Sequence, residues 1–456
     1  MKKLLSMFLA LFLAVSTFAS CAPSAPVSSK PQQSTSAAAD SSTGLESDKP
    51  ITLTMWHSFT QEDRGAAIQS MADEFTKLHP NVTINLEVFP WATFDTKWKT
   101  GLSAGELPDI STVLPEGVMM MSQSDCLEPL DDMIAEMGNP FVEKPLEALS
   151  FNGKTLAVPF YAHARVLWYR TDVLEKNNIE PPKTLDELLA AAQKITKTGE
   201  MYGMAVPMKK TDFYATIYTY IVSKGLGGHM LNKDGKADLT SPEMLQAIQY
   251  LVDMYKTASP EGSISYGDPE TNDSFIQGKA AFYFESGFAI NRVIQGNPAI
   301  KDNFAALVPP SKDGTTPGWF ADYISLAVWK NAKSPENAAM AKEFVKFMYN
   351  EENYVKFLHL VPGGMLPSIK SVADSDAFWN NDVIKAHEAD VRVIAEGVAN
   401  GCPVANDFGP NPATNIIKSQ GIIEEMLQNI VLGTMPLEDA AKKAEDTLNA
   451  EIAKLG

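Results

Sequence analysis

From residue 51 onward the apolar and polar positions change rhythm repeatedly. In Ile51-Thr52-Leu53-Thr54-Met55-Trp56 they alternate, the period of a strand. Ile68, Met71, Ala72, Phe75 and Leu78 then recur every three or four positions, one face of a helix that ends before Pro80. Val82, Ile84, Leu86 and Val88 return to alternation, and residues 97–103 read as helical. After the turn Gly105-Glu106-Leu107-Pro108, Asp109 to Val113 reads as a short strand. The order β-α-β-α-β predicts an α/β fold, a mostly parallel sheet with helices on both faces.

A second alternating series follows. Thr155 to Phe160 and Val166 to Tyr169 read as strands flanking a loop from Tyr161 to Arg165. Thr184 and Glu187 have the spacing of a capping box, opening a helix that turns Leu185, Leu188, Leu189, Ala192 and Ile195 inward. Ser241-Pro242 and Ser334-Pro335 open two more helices. Residues 415–454 are largely helical in pattern, and no internal repeat is visible. With 456 residues, 45% of them apolar and 9% aromatic, the chain can build two cores.

The amino terminus follows a different rule. Lys2 and Lys3 precede an apolar run from Leu4 to Phe18 that is short for a membrane span. Phe18-Ala19-Ser20-Cys21 resembles the bacterial lipobox, with Phe18 where Leu is usual. That resemblance implies a signal peptide over residues 1–20 and a lipidated Cys21, which would anchor the protein to the outer face of the cell membrane. Residues 21–50 are rich in Ser, Ala, Pro, Gln and Thr, and predict a flexible tether.

Charge and motif searches narrow the chemistry. A formal charge of −18 argues against nucleic acid and anionic lipid surfaces as partners. Gly278-Lys279-Ala280 lacks the remainder of a phosphate-binding loop, and Glu285-Ser286-Gly287 is not a nucleophile elbow. His387-Glu388 has no second His at the zinc-protease spacing, and Asn232 to Gly235 reads as a hairpin turn, not a calcium loop. Cys126 and Cys402 stand outside any CxxC spacing; whether they pair is left open. No catalytic residue, metal or cofactor is expected.

Thr54 to Phe59, Glu74 to Pro80 and Gly105 to Ile110 resemble the opening of extracellular solute-binding proteins of family 1, which include the maltodextrin-binding and glycerol-3-phosphate-binding proteins of ABC importers. Further likeness lies in Val158-Pro159-Phe160, Val166 to Arg170, Pro181 to Leu188, Phe275 to Ala281, Pro335 to Met348, Gly364 to Pro367 and residues 430–444. Arg170 and Leu185 depart from it, where Asn and Trp are usual. The resemblance implies a two-lobed periplasmic-binding-protein fold of type II. The first lobe is expected over 51–160 and 322–366, the second over 161–321 and 367–456, with the ligand between doubly wound sheets. It also implies a monomer that closes about a hinge, breaks no bond in its solute and delivers it to the transmembrane subunits of an ABC permease.

A sugar presents apolar C–H faces and a rim of hydroxyls, so its cleft needs aromatic platforms and planar polar groups. Candidates lie where the chain leaves strands or crosses between the lobes. They are Trp56, His57, Ser58 and Glu62 after the first strand, and Tyr161 and His163 at the first crossing. Tyr214 opens an apolar stripe with Phe213, Ile217, Tyr218 and Ile221, a pattern that fits core as well as site. Glu285, Ser286 and Phe288 occupy a family ligand position, Trp319 and Asp322 the second crossing, Gly364 the third, and Asp407 a late loop. No cation occurs in Asn406 to Pro412, where a glycerol-phosphate binder is expected to carry one, so a mono- or oligosaccharide is the expected cargo. Glycerol-3-phosphate, a glycerophosphodiester or a polyamine is the alternative cargo; a surface glycosidase or a sensory co-receptor is the alternative role.

Overall fold

The computed structural model describes residues 49–197, 199–330 and 334–455. The expected signal peptide, Cys21 and most of the tether lie outside them. Eleven strands occur among the described residues. β1 (Ile51–His57), β2 (Val82–Val88) and β3 (Ile110–Val113) match the expected first unit. β4 (Ser150–Phe151) and β5 (Lys154–Thr155) form a small hairpin. β6 (Val158–Arg170), β7 (Tyr202–Met204), β8 (Ala280–Glu285), β9 (Phe304–Leu307), β10 (Phe320–Val328) and β11 (Leu366–Pro367) complete the set.

Nine of these strands join one sheet in the order β2-β1-β3-β10-β6-β8-β7, with β9 and β11 also on β6. β1 is parallel to both β2 and β3, and β7 is parallel to β8. β6 and β10 run antiparallel to their neighbours and connect the two parallel groups.

The residues expected as a loop, Tyr161 to Arg165, are the middle of β6. Their backbone pairs with β10 through Tyr161–Ile324, His163–Asp322 and Arg165–Phe320. Buried backbone groups need such partners, and here β10 supplies them whatever the side chains are. From Val166 the strand changes partners, to β8 on one edge and, from Leu167, β9 on the other.

Helices follow the expected signals closely. In Leu185–Ile195 the Thr184 side chain accepts from the Glu187 amide while Glu187 reaches back to the cap. Ser334 caps Pro335–Met348 by accepting from Asn337. One helix begins earlier than its pattern suggested, at Trp91 directly after Pro90, and ends at Ala104. The carboxy-terminal helical stretch is broken into Ala413–Gln420, Ile422–Val431 and Leu437–Ile452, with Gly421 at a positive φ of 62° at the first break.

Two main hydrophobic clusters flank the sheet. One holds Leu53, Met55, Phe75, Phe160 and Phe344, and extends along β6 to Ile394 of the helix Glu388–Asn400. The other holds Leu188, Ile221, Leu251 and Leu427. β8 shows how one strand serves both: Phe282 and Phe284 belong to the second cluster and Tyr283 to the first. Cys126 and Cys402 are unpaired; the Cys126 thiol is 3.4 Å from the Met121 carbonyl and the Cys402 thiol is 3.2 Å from the Tyr220 hydroxyl.

Candidate functional site

Because side chains alternate along a strand, Tyr161, His163 and Arg165 share one face of β6. At the end of that row is a buried charge cluster. The Glu285 carboxylate, 2% exposed at the end of β8, lies 2.8 Å from Arg165 and 3.2 Å from Arg292. It also accepts from the Ser286 amide at 2.6 Å, the Ser286 hydroxyl at 2.8 Å and the Tyr214 hydroxyl at 3.3 Å. Arg165 in turn donates to Tyr214 at 2.6 Å. Burial alone would raise the Glu285 pKa, but the two guanidiniums outweigh it and hold the carboxyl down at about 2.

Next to this cluster, Phe288 opens the helix Phe288–Gly296 and gathers groups from separate elements. His163 meets its ring edge-to-face at 6.0 Å, and the Arg292 guanidinium lies 6.0 Å from its centre. Arg64, in the first turn of Glu62–Leu78, lies 5.9 Å from the centre of the same ring. Gly364 lets the turn before β11 approach: a Cβ there would stand 2.7 Å from Val361 and 3.2 Å from Phe288. Burial, with Arg165 adding, lowers the His163 pKa to about 4, so its ring is neutral at pH 7. Burial pushes the Tyr161 hydroxyl up to about 12 although Arg64 beside it opposes the rise.

Asp322, facing His163 across the strand pair, borders a cavity of about 10 Å³ with Glu116, Phe213, Phe320, Thr414 and Lys418. That is room for about one water, so a sugar enters only if the surrounding elements part. Lys418, on Ala413–Gln420, forms an ion pair with Glu116, on Pro115–Ser122, across this cavity. Burial, reinforced by Glu116, raises the Asp322 carboxyl to about 7 from an ordinary 3.8. The folded state then holds a proton that the unfolded state releases, so this group makes stability fall as pH rises from about 4 to about 7. Glu424, buried and also raised to about 7, acts in the same direction. Asp322→Asn is expected to flatten the wild-type decline of denaturation midpoint between pH 4 and 7, leaving the share due to Glu424; an unchanged slope would remove Asp322 from that account.

Other expected residues are placed elsewhere. Trp56, expected as a sugar platform, is 4% exposed; Phe89 packs edge-on at 5.7 Å and the Lys97 ammonium covers its ring at 4.3 Å. His57 stacks on Phe59 at 5.6 Å and accepts the Phe59 amide, and burial lowers its pKa to about 4. The Ser58 amide donates to Thr112 at 3.2 Å. Glu62 is exposed in the first turn of its helix. Trp319 is buried against Gly397, where an added Cβ would lie 2.9 Å from the indole. Asp407 is held by Lys224 and by the Tyr220 hydroxyl at 2.9 Å, with His229 3.5 Å away.

The pattern described as bacterial extracellular solute-binding protein matches residues 59–355. The chain belongs to that family. A binding protein of Brucella abortus is 30% identical over 84% of this chain and 90% of its own. The arabinooligosaccharide-binding protein of Bacillus subtilis is 29% identical over 64% of this chain and 68% of its own. A Thermotoga lettingae solute-binding protein of an ABC transporter, bound with α-D-tagatose, superposes with a TM-score of 0.74, covering 89% of this chain and all of that one at 24% identity. This chain therefore has the two-lobed solute-binding fold. Members of the family are binding proteins, and among the described residues no helix is long and apolar enough to cross a membrane.

Sequence reasoning about this solute-binding protein missed Arg64, Glu116, Arg165, Arg292 and Lys418. Arg165 was legible: with Tyr161 and His163 it occupies alternate positions, a strand face that a loop assignment hides. Arg64 and Arg292 sit on amphipathic helices, where a cation normally marks the solvated side.

Proposed function

We propose that this protein captures a carbohydrate between its lobes and delivers it to the transmembrane subunits of an ABC importer. The observation that carries this reading is the Phe288 ring, an apolar platform bordered by His163, Arg64 and Arg292 from separate elements. Flat apolar area edged by hydrogen-bonding groups is what a pyranose requires. The tagatose and arabinooligosaccharide named for two relatives support the same cargo class. The lobes part to admit the sugar and close on it, with Glu116–Lys418 as a contact of the closed form. Lobe boundaries fall near the partner exchange after Arg165 and the start of β10 at Phe320. Ile369 bridges Phe141, and the Lys370 amide donates to the Pro140 carbonyl, which supports extending the first lobe beyond residue 366. Cys21 carries a lipid that holds the monomeric body at the outer membrane face through the 21–50 tether.

The test is a thermal-shift screen against mono- and oligosaccharides, glycerophosphodiesters, polyamines and amino acids. A ligand that binds only the folded state at 100 times its Kd stabilises it by about 2.7 kcal/mol. A shift with one saccharide class is the expected result; shifts confined to phosphates or amines would overturn the carbohydrate assignment.

A further inference from the structure

The chain contains five arginines. Four have a carboxylate partner: Arg165 and Arg292 share Glu285, Arg170 pairs with Asp172 and Arg392 with Glu388. Arg64 has none among the described residues, and its Nε is buried without an acceptor. Its neighbours Glu62 and Asp63 are exposed, and the Asp63 carboxylate accepts the Arg64 backbone amide instead of its guanidinium. The half-buried Arg64 side chain, hydrogen-bonded to Tyr161 but without a counter-charge, is thus the arginine best placed to receive an anion from outside the chain.

The surroundings say what kind of anion. Arg64 lies over Phe288 and beside Tyr161, and His163 approaches the same Phe288 ring with its Nδ1 buried and unpartnered. Two side chains from separate elements, each with an unsatisfied polar atom, thus meet at one aromatic ring. We propose that the solute is an acidic saccharide, a sugar carrying a carboxylate, whose ring packs on Phe288 while Arg64 forks the carboxylate and His163 takes a hydroxyl. This rests on the carbohydrate reading above and narrows it. A carboxylate suits the site better than a phosphate ester. One planar guanidinium matches one planar monoanion, whereas a phosphate dianion would meet a single uncompensated cation.

The experiment titrates the full chain with galacturonate and digalacturonate, with their neutral counterparts galactose and galactobiose, and with galactose 1-phosphate, by calorimetry. One of the uronates is expected to bind at least ten times more tightly than its neutral partner and than the phosphate. Arg64→Gln should weaken that uronate by roughly 10- to 100-fold and lower any neutral-sugar affinity by a clearly smaller factor. Arg64→Lys, which keeps the charge but loses the fork, should fall between. Thermal melts of both variants without sugar establish that they fold. Neutral sugars or the phosphate binding as tightly as the uronates would overturn the acidic assignment and leave the carbohydrate or solute-binding reading standing. Equal losses for acidic and neutral sugars in Arg64→Gln would also overturn it. If neither uronates nor neutral sugars bind, this inference falls, and the carbohydrate reading is decided by the saccharide screen above.

Discussion

Glu285→Gln is expected to destabilise the protein by about 3–5 kcal/mol. Glu285 is the carboxylate partner of Arg165, which is itself only 5% exposed and already has an unsatisfied Nε. Removing the negative charge leaves a buried guanidinium whose remaining contacts are the Tyr214 hydroxyl at 2.6 Å and the Phe284 carbonyl at 3.4 Å. Gln can keep one acceptor for the Ser286 amide, but it cannot return the Coulomb energy to two arginines. The pH profile separates this loss from a packing defect. With a folded pKa of about 2 against an ordinary 4.5, Glu285 contributes stability that is present above about 4.5 and lost as pH falls toward 2. Urea denaturation of wild type should therefore show a decline below pH 4.5 that is reduced in Glu285→Gln. Asp322 acts with opposite sign in the window above, so the variant at 285 and the variant at 322 alter different limbs of one curve. A loss under 1 kcal/mol at pH 7 would mean that water reaches Arg165 through the cleft and replaces its partner.

What the sequence made legible was local or periodic. The Thr184–Glu187 capping box, the Ser334 cap and the alternation in β1 each follow from a few neighbouring residues, and each is present. The family likeness supplied the long-range order that periodicity cannot. β6 was misread because a strand in the middle of a sheet can carry His and Arg when what meets it comes from distant segments: His163 pairs in register with Asp322 of β10 and Arg165 forms an ion pair with Glu285, both over a hundred residues away. Trp56 and Trp319 illustrate a different limit. An aromatic residue at a strand end has the same local signature whether its ring turns toward the cleft or into the core. The choice depends on what is packed there, Lys97 and Phe89 for one, Gly397 for the other. Arg64 differs from the other four arginines in its surroundings, not in its sequence position: each of them pairs with a carboxylate, and it has none among the described residues.

Gly287→Ala is expected to reduce both stability, by about 3 kcal/mol, and sugar affinity. Backbone conformation is not the reason, since Gly287 has φ −62° and ψ −9°, values any residue adopts. The reason is space. A Cβ at this position would stand 1.8 Å from the Gly363 carbonyl oxygen and 2.9 Å from the Ile394 side chain. The first obstacle is backbone, which cannot rotate away as a long side chain would. Either the 286–288 turn or the 361–364 turn must move, and both adjoin the site: Ser286 holds Glu285, and Phe288 packs under Gly364. The displacement therefore reaches the platform ring even though no ligand-facing atom has been replaced. Gly433→Ala is the control, because its φ of 69° carries a backbone cost of about 1 kcal/mol but nothing lies within 4 Å of an added Cβ. Denaturant midpoints and calorimetric titration of the two variants distinguish the effects. Gly433→Ala should lose a little stability and no affinity, whereas Gly287→Ala should lose both. Wild-type affinity in a folded Gly287→Ala protein would show that the 363 turn yields without moving Phe288, and would place the ligand platform elsewhere in the cleft.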